Sequence, residues 1–308
     1  MPKIYPIGGG KGGVGKSFIA ASLGALIAKH GHKVVVIDLD LGASNLHTFL
    51  GIHSPKNGLN SFLDKSVGSL QDVAVPTDIH NLSFISSFHC AMEIANLFHA
   101  QKIKLIKAIK NLDFDYILID LGAGTNFNTL DFFLTSCEGM FVCTPEPTSI
   151  ENAFRFIKSA YLRRLKQLIK RNDFNSKVKQ LAEKELHSMK SSDVINFLLT
   201  NDPDNEVFLK QRISKFNFKF ILNQFRKNMD LSLGDKIETV CNRHFYSRFE
   251  FLGNIDFDER VHDAILHKRL FIREYPDAGL AVKLKKIAER LVLPPPDPSG
   301  HSPCKGDT

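Results

Sequence analysis

This 308-residue chain lacks several features that would indicate a membrane or secreted protein. No apolar run reaches the ~18 residues expected of a membrane span, and the N-terminus has no secretory pattern. No two cysteines form a CxxC pair, so neither a disulfide framework nor a zinc site is expected. The cysteines are scattered and predict reduced thiols in a cytoplasmic protein; they are Cys90, Cys137, Cys143, Cys241 and Cys304.

The chain also lacks a strong charge imbalance. Its 40 lysines and arginines against 33 acidic residues give a formal net charge of +7. A hydrophobic content of 43% and a charged content of 24% are ordinary for a globular protein. The modest positive charge is compatible with an acidic partner such as a nucleotide, anionic lipid or nucleic acid, and equally with a solvated basic surface.

Short apolar runs alternate with a helical pattern in the first third of the chain. The runs at 3–7, 34–38 and 116–120 are each followed by a loop, as expected of buried parallel strands. A helical pattern between the first two ends at Gly31, which suits a C-terminal cap. This βαβ unit predicts an α/β fold. Further strands are predicted at 82–87, 139–144, 218–223 and 249–255, with helices from Ser149 to about Lys170 and over 278–292.

The composition predicts one domain over residues 1–292. A polar, lysine-rich stretch at about 171–217 is expected to form a helical insertion at one edge of it. The proline- and glycine-rich tail, 293–308, is expected to be disordered.

The glycine-rich stretch between the first strand and the first helix carries the most specific motif. Residues 10–17, GKGGVGKS, fit the phosphate-binding pattern G-x-x-x-x-G-K-[ST] in the required strand–loop–helix context. Glycines let successive N–H groups turn towards phosphate oxygens, and the helix start adds a positive dipole. Lys16 is expected to reach the β- and γ-phosphates, and the Ser17 hydroxyl to ligate Mg²⁺.

Three carboxylates follow two of the predicted strands. Asp120 ends one strand, at the place of a Walker B acid, while Asp38 and Asp40 end another. The carboxyl ends of parallel strands form the ligand-binding edge of an open α/β sheet, so these acids are expected beside the phosphate loop. Ser17, Asp40 and Asp120 are the predicted metal-site residues. The alternative is that these acids only solvate loops.

These motifs carry a family resemblance. KGGVGKS with its early lysine, VIDLDLGASNLHTFLG and DYILIDLGAGT resemble the deviant-Walker-A ATPases of the MinD/ParA/Mrp superfamily. VCTPEPTSIENAFRFIK and LGNIDFDERVHDAILHKRLFIREYPDA look most like its FlhG/FleN (YlxH) branch, which governs flagellar number and placement. The resemblance implies a three-layer P-loop NTPase fold with a mostly parallel central sheet and helices on both faces.

The resemblance also implies residue roles. Lys11 matches the signature lysine that reaches the partner subunit's phosphates in an ATP-sandwiched dimer. Asp40 matches the acid that positions the attacking water, with Asp38 as its companion. Asn223 matches an adenine-reading asparagine, and Arg226 is expected to flank the base. The predicted catalytic residues are Lys11, Lys16, Asp40 and Asp38, and the predicted nucleotide contacts are Gly10, Lys11, Gly12, Gly13, Val14, Gly15, Lys16, Ser17, Phe18, Asn223 and Arg226.

The function implied is an ATP-dependent dimerising switch that hydrolyses ATP with Mg²⁺ and is stimulated by a protein partner. Positioning of flagella is the process that the resemblance favours. The alternatives are a ParA-like segregation ATPase acting on DNA or protein cargo, and a nucleotide-binding scaffold with little hydrolysis. An iron–sulfur carrier of the Mrp type is disfavoured, because the C-terminal cysteine pair that it needs is missing.

For two basic helical segments, the sequence is compatible with either a partner contact or a purely structural position. The 278–292 helix has an apolar face and a basic face, so it is expected either to pack on the core or to contact the inner face of the cell membrane. Core packing is the favoured alternative. The basic stretch from Arg155 to Lys170 is either a DNA-facing patch or, as favoured here, a solvated helix face.

Overall fold

The structure is a computed structural model that describes residues 1–41, 44–52, 58–87, 97–171, 174, 178, 200 and 202–293. Most of the predicted insertion at 171–217 and the tail beyond residue 293 lie outside the described residues, so those two predictions remain open. Among the described residues, no helix has the length and apolar character needed to cross a membrane.

An eight-stranded sheet forms the centre of the fold. The strands are β1 Lys3–Gly8, β2 Val34–Leu39, β3 Val75–Pro76, β4 Leu82–Ile85, β5 Tyr116–Leu121, β6 Met140–Cys143, β7 Asn217–Phe225 and β8 Arg248–Asp256. Their spatial order is β3-β4-β2-β5-β1-β6-β7-β8, and every pairing is parallel except β3 with β4. The seven predicted strands are confirmed. The two-residue β3 is additional, since it is too short to produce an alternating pattern.

Helices cover both faces of the sheet, as predicted. The described helices are α1 Lys16–Lys29, α2 Leu46–Phe49, α3 Leu59–Leu63, α4 His99–Lys110, α5 Phe127–Phe133, α6 Pro147–Arg171, α7 Glu206–Ser214, α8 Leu233–His244, α9 Arg260–Leu266, α10 Phe271–Glu274 and α11 Gly279–Val292. Helix α1 is followed by Gly31 with a φ of 91°, the left-handed conformation that favours glycine after a helix end.

The alternation of side chains along the strands explains the two-sided core. In β2, Val34 and Val36 pack into the apolar layer that contains α1 and α11, whereas Val35 and Ile37 pack into the layer that contains α4, α5 and α6. All six residues of β2 are buried. A strand covered on both faces needs apolar residues at successive positions, and this is why the run is continuous.

Pro6 lies inside the central strand β1 without breaking it. The N–H of Lys3 donates to the carbonyl of Asp115 on the β5 side. Because the backbone groups of successive residues point alternately to the two neighbouring strands, the backbone nitrogen of Pro6 points towards β6. Pairing with β6 begins only at Ile7. The missing N–H of proline therefore falls where no ladder hydrogen bond is required.

Helix α11 packs its apolar face on α1 and β8. A membrane contact would require an exposed apolar stripe on this helix. The residues of that stripe are buried in the core; they are Leu280, Leu284, Ile287 and Leu291. On the polar side, Lys283 bonds to Asp256 at 2.6 Å. The structure therefore supports the core-packing alternative for residues 278–292, because the apolar residues proposed for membrane contact pack inside the protein.

A buried ion cluster joins three helices on the other face. The carboxylate of Asp131 on α5 contacts the ammonium of Lys102 on α4 and accepts two hydrogen bonds, of 2.8 and 2.9 Å, from Arg163 on α6. Burial would raise the pKa of Asp131, but the hydrogen bonds from Arg163 and Lys102 outweigh it and lower the pKa. Arg164 lies over the Phe216 ring at 5.5 Å. Arg163 and Arg164 of the proposed DNA patch thus make contacts within the fold, which disfavours the DNA-facing alternative and corrects the favoured expectation of a merely solvated face at these two residues.

Replacing Asp131 with alanine is expected to destabilise the protein strongly. The change leaves the Lys102 ammonium buried without its counter-charge, so the free energy of unfolding at pH 7 should fall by about 3 kcal/mol. Urea denaturation measures this directly. Because the pKa of Asp131 lies below its ordinary value of 3.8, its contribution is complete above pH 3.8 and is lost as the pH falls further, so the difference should shrink in acid.

Glu151→Ala provides a matched control. Glu151 pairs with Arg155 at 2.6 Å on the exposed face of α6, and such a pair contributes less than about 0.5 kcal/mol. Equal destabilisation by the two substitutions would contradict the importance assigned to the buried cluster.

Candidate functional site

The loop between β1 and α1 curls tightly against neighbouring backbone. Gly13 and Gly15 have φ values of 75° and 93°, which side chains other than glycine rarely adopt. A Cβ at Gly10 would lie 2.1 Å from the carbonyl oxygen of Asn152 on α6. Glycine is therefore required for backbone conformation at two positions and for close approach at a third.

Lys16 begins α1 and is buried at the base of this loop. Burial lowers the pKa of its ammonium, while the nearby carboxylates of Asp120 and Asp40 act in the opposite direction. A positive charge is thus held at a helix N-terminus, beside backbone N–H groups that an anion would use.

Asp120, at the end of β5, is the most informative carboxylate of the site. It is 1% exposed, and its Oδ1 has no hydrogen-bond partner among the described residues. Burial, followed by the charge of Asp38, raises the pKa of Asp120 to about 8, and a hydrogen bond from the Ser17 hydroxyl partly opposes this. An unpartnered buried carboxylate oxygen next to a hydroxyl is an arrangement that a bound cation would complete.

The oxygen atoms of Ser17, Asp40 and Asp120 fit Mg²⁺ by their chemistry, because Mg²⁺ prefers hard oxygen ligands. Within the described part of the chain, no group of three or more His, Cys, Asp or Glu side chains forms a metal cage. Mg²⁺ is usually held by one or two carboxylates together with water and substrate phosphates, so a complete protein cage is not needed.

Asp38 lies at the carboxyl edge of the sheet, near the end of β2, but it does not line the cleft. Its fully buried carboxylate accepts hydrogen bonds from the backbone N–H groups of Asp40 and Leu46 and from the hydroxyl groups of Ser44 and Ser87. Burial raises its pKa to about 6. Asp38 thereby shapes the loop that carries Asp40, whereas a direct part in a reaction stays a prediction.

A cleft of about 1120 Å³ opens beside the loop. Eight of the predicted nucleotide or metal residues line it: Gly12, Gly13, Gly15, Lys16, Ser17, Phe18, Asp40 and Asn223. Phe18 also packs edge-on against Phe271, with ring centroids 5.8 Å apart. The structure thus brings together residues from the ends of β1, β2 and β7 around one cavity.

Six predicted site residues do not line this cleft: Gly10, Lys11, Val14, Asp38, Asp120 and Arg226. Lys11 is exposed at the loop tip. Arg226 is exposed and lies over the ring of Phe257 at 4.3 Å, and it is Phe257 that lines the cleft. Arg226 therefore contacts a residue of the cleft wall, and Lys11 does not line the cleft of its own chain.

The opposite wall of the cleft was not predicted residue by residue. It comes from the end of β8 and from α9, and includes Asp256, Phe257, Asp258, Glu259, Val261, His262, Asp263 and Ile265. The sequence did carry a signal for this wall, because the segment follows a predicted strand, and residues after the carboxyl end of a parallel strand line the ligand crevice of such sheets. Without the position of β8 in the sheet, the sequence could not connect this segment to the phosphate loop.

Known proteins share this sequence pattern and architecture. Residues 6–271 match the CobQ/CobB/MinD/ParA nucleotide binding domain. The antiactivator FleN of Pseudomonas aeruginosa is 23% identical over 303 residues, covering 97% of this chain and 90% of FleN. The flagellum site-determining protein YlxH of Helicobacter pylori is 34% identical over 167 residues, covering 51% of this chain and about half, 53%, of YlxH.

The solved structures agree in fold. The septum site-determining protein MinD of Pyrococcus horikoshii, solved with Mg-ADP, superposes with a TM-score of 0.62 at 19% identity, covering 94% of this chain and 96% of that one. The predicted α/β P-loop architecture, with its mostly parallel sheet between two helical layers, is confirmed.

Gly10→Ala tests the close packing of the loop. The new Cβ would meet the Asn152 carbonyl, so the loop or α6 must shift, and ADP binding should weaken by about tenfold or more, about 1.4 kcal/mol. Gly68→Ala is the matched control, since a Cβ there meets nothing within 4 Å and Gly68 does not line the cleft. Calorimetric titration with ADP measures both, and unchanged affinity in Gly10→Ala would show that this packing does not shape the nucleotide site.

Proposed function

This chain belongs to the CobQ/CobB/MinD/ParA nucleotide-binding family, and we propose that it is an ATP-hydrolysing switch that forms a dimer when it binds ATP. The reaction is ATP + H₂O → ADP + phosphate. The observation that carries the proposal is the different environment of the two loop lysines. Lys16 is buried in the cleft, and Lys11 is exposed outside it.

The roles of the chain's own groups follow from charge and position. Lys16 and the N–H groups of the loop bind the β- and γ-phosphates. Asp40, which lines the cleft, holds the attacking water, and Asp38 keeps the Asp40 loop in place through its four hydrogen bonds. Asn223 and the β8–α9 wall hold the base and ribose side of the nucleotide.

Ser17, Asp120 and Asp40 would hold Mg²⁺, which when bound neutralises charge that develops on the phosphates. Oδ1 of Asp120, which has no hydrogen-bond partner in the part of the chain that the structure describes, and the Ser17 hydroxyl beside it supply the oxygen donors that this requires.

Lys11 acts on the nucleotide of a second subunit. An exposed ammonium at the loop tip has no phosphate of its own cleft to serve, because Lys16 already occupies that role. In a face-to-face dimer it supplies positive charge as negative charge builds on the transferring phosphoryl group, in the manner of an arginine finger. Hydrolysis then depends on dimerisation, and stimulation by a partner protein sets the lifetime of the dimer.

The cellular process that we propose is control of flagellar number or placement. FleN, an antiactivator, aligns with nearly the whole chain, and YlxH, a flagellum site-determining protein, aligns with half of it. The chain would act in the cytoplasm, where it meets its stimulating partner.

Lys11→Ala is expected to separate binding from turnover. ATP affinity should stay within about threefold of wild type, while ATP-dependent dimers disappear and kcat falls by roughly 10³-fold. Light scattering with ATP and phosphate release measure the two effects. Lys16→Ala is the contrast, because it should lose nucleotide binding itself. Undiminished turnover in Lys11→Ala would contradict action on the second subunit.

Deletion of the gene in the organism that encodes this chain should change the number or position of flagella. Complementation with wild type should restore the pattern, and Lys11→Ala should not, since it cannot cycle between monomer and dimer. Electron microscopy of single cells counts the filaments. If the deletion strain has normal flagella but segregates its DNA defectively, the flagellar role is wrong and the ParA-like alternative takes its place.

A further inference from the structure

Two consecutive side chains at the end of β7 reach the same stretch of the phosphate loop. Nδ2 of Asn223 donates to the carbonyl of Val14 at 2.9 Å, and Nε2 of Gln224 donates to the carbonyl of Gly13 at 3.0 Å. In a regular strand, successive side chains point to opposite faces of the sheet. A local departure from strand geometry is therefore needed to bring both amides to one loop.

That departure is a β-bulge. Leu222 lies opposite Asn254 and Phe225 lies opposite Asp256, so the two residues between them on β7 face a single residue of β8. Gln224 has a φ of 58°, in the left-handed region that favours glycine. Bulges beside functional sites re-aim side chains, and a non-glycine residue persists in this region only where its surroundings hold it there.

Before Lys11 the loop packs against α6, since a Cβ at Gly10 would lie 2.1 Å from the carbonyl oxygen of Asn152, but after Lys11 the packing is looser. Gly9 at the base accepts a hydrogen bond from the backbone of Gly124 at 3.2 Å. At the tip, a Cβ built on Gly12 or Gly13 would meet nothing within 4 Å, so the tip is not packed against neighbouring atoms. The amide of Gln224 reaches across this open space to the carbonyl of Gly13, two residues after Lys11.

We propose that Gln224 is a positioning residue, which braces the tip of the phosphate loop and so sets where Lys11 is presented. The brace is a property of the single chain. Its consequence for catalysis rests on the proposed function, because Lys11 acts there on the nucleotide of a second subunit. Gln224 also lines the cleft, so the brace joins the cleft wall formed by β7 to the exposed edge of the loop.

Hydrogen exchange of the nucleotide-free full chain tests the brace. Gln224→Gly removes the amide while glycine accepts the left-handed φ, so the bulge is kept. Mass spectrometry should show that peptides covering residues 9–15 exchange about threefold faster or more, with the rest of the sheet unchanged. Asn81→Gly is the matched control, since Asn81 has a φ of 67° and lies before β4, away from the loop. Unchanged exchange in Gln224→Gly, or equal acceleration in Asn81→Gly, would overturn the proposal.

Kinetics test the link to Lys11. Gln224→Gly should lower kcat about tenfold while KM changes by less than about threefold, and it should cause no further loss in a Lys11→Ala background. Losses that multiply in the double variant would show that Gln224 does not act through Lys11. If wild type does not hydrolyse ATP, or if Lys11→Ala retains full turnover, the proposed function fails, and the exchange experiment still decides whether the brace exists.

Discussion

The burial of opposite charges at the carboxyl edge of the sheet is the constraint on which this site depends. The protein removes the Lys16 ammonium and the Asp120 carboxylate from water, so burial lowers the pKa of the first and raises that of the second. The attraction between the two groups opposes both pKa shifts, yet an oxygen of Asp120 has no hydrogen-bond partner among the described residues. A polyphosphate and a divalent cation carry the charges that this arrangement accepts, so the electrostatics of the protein favour that ligand pair over neutral molecules.

The geometry of the phosphate loop suits the same pair of ligands. Close approach to Asn152 and the left-handed conformations of Gly13 and Gly15 bend the backbone around the point where the phosphates bind in the proposed function. The ion cluster around Asp131 holds α5, the helix that follows the Asp120 loop, against α4 and α6. The helices beside the Asp120 loop are thus joined to one another, while Lys11 lies exposed at the tip of the phosphate loop. In the proposed function, the buried Lys16 therefore binds the nucleotide of its own chain, and the exposed Lys11 acts on that of a second subunit.

Much of the fold could be predicted from short-range patterns. The apolar run of β2 is continuous because both faces of the strand are buried, and Gly31 ends α1 because it adopts a positive φ. The phosphate loop was predictable for the same reason, since its motif, preceding strand and following helix are adjacent in the chain. The short β3 was missed because two residues carry no periodicity. The amphipathic pattern of 278–292 could not distinguish core from membrane, because an apolar stripe fits either surroundings.

The sequence by itself determined seven strands, three of the described helices, the phosphate loop and the family, because each depends on residues that are neighbours along the chain. Only the tertiary structure decided that Asp38 is enclosed by four donors, that the β8–α9 segment forms the far wall of the cleft, and that Gln224 bonds to Gly13 across 211 positions of sequence. These contacts depend on strand order and on the register of one bulge. Since a shift of one residue would turn such side chains to the other face, no local pattern can specify them.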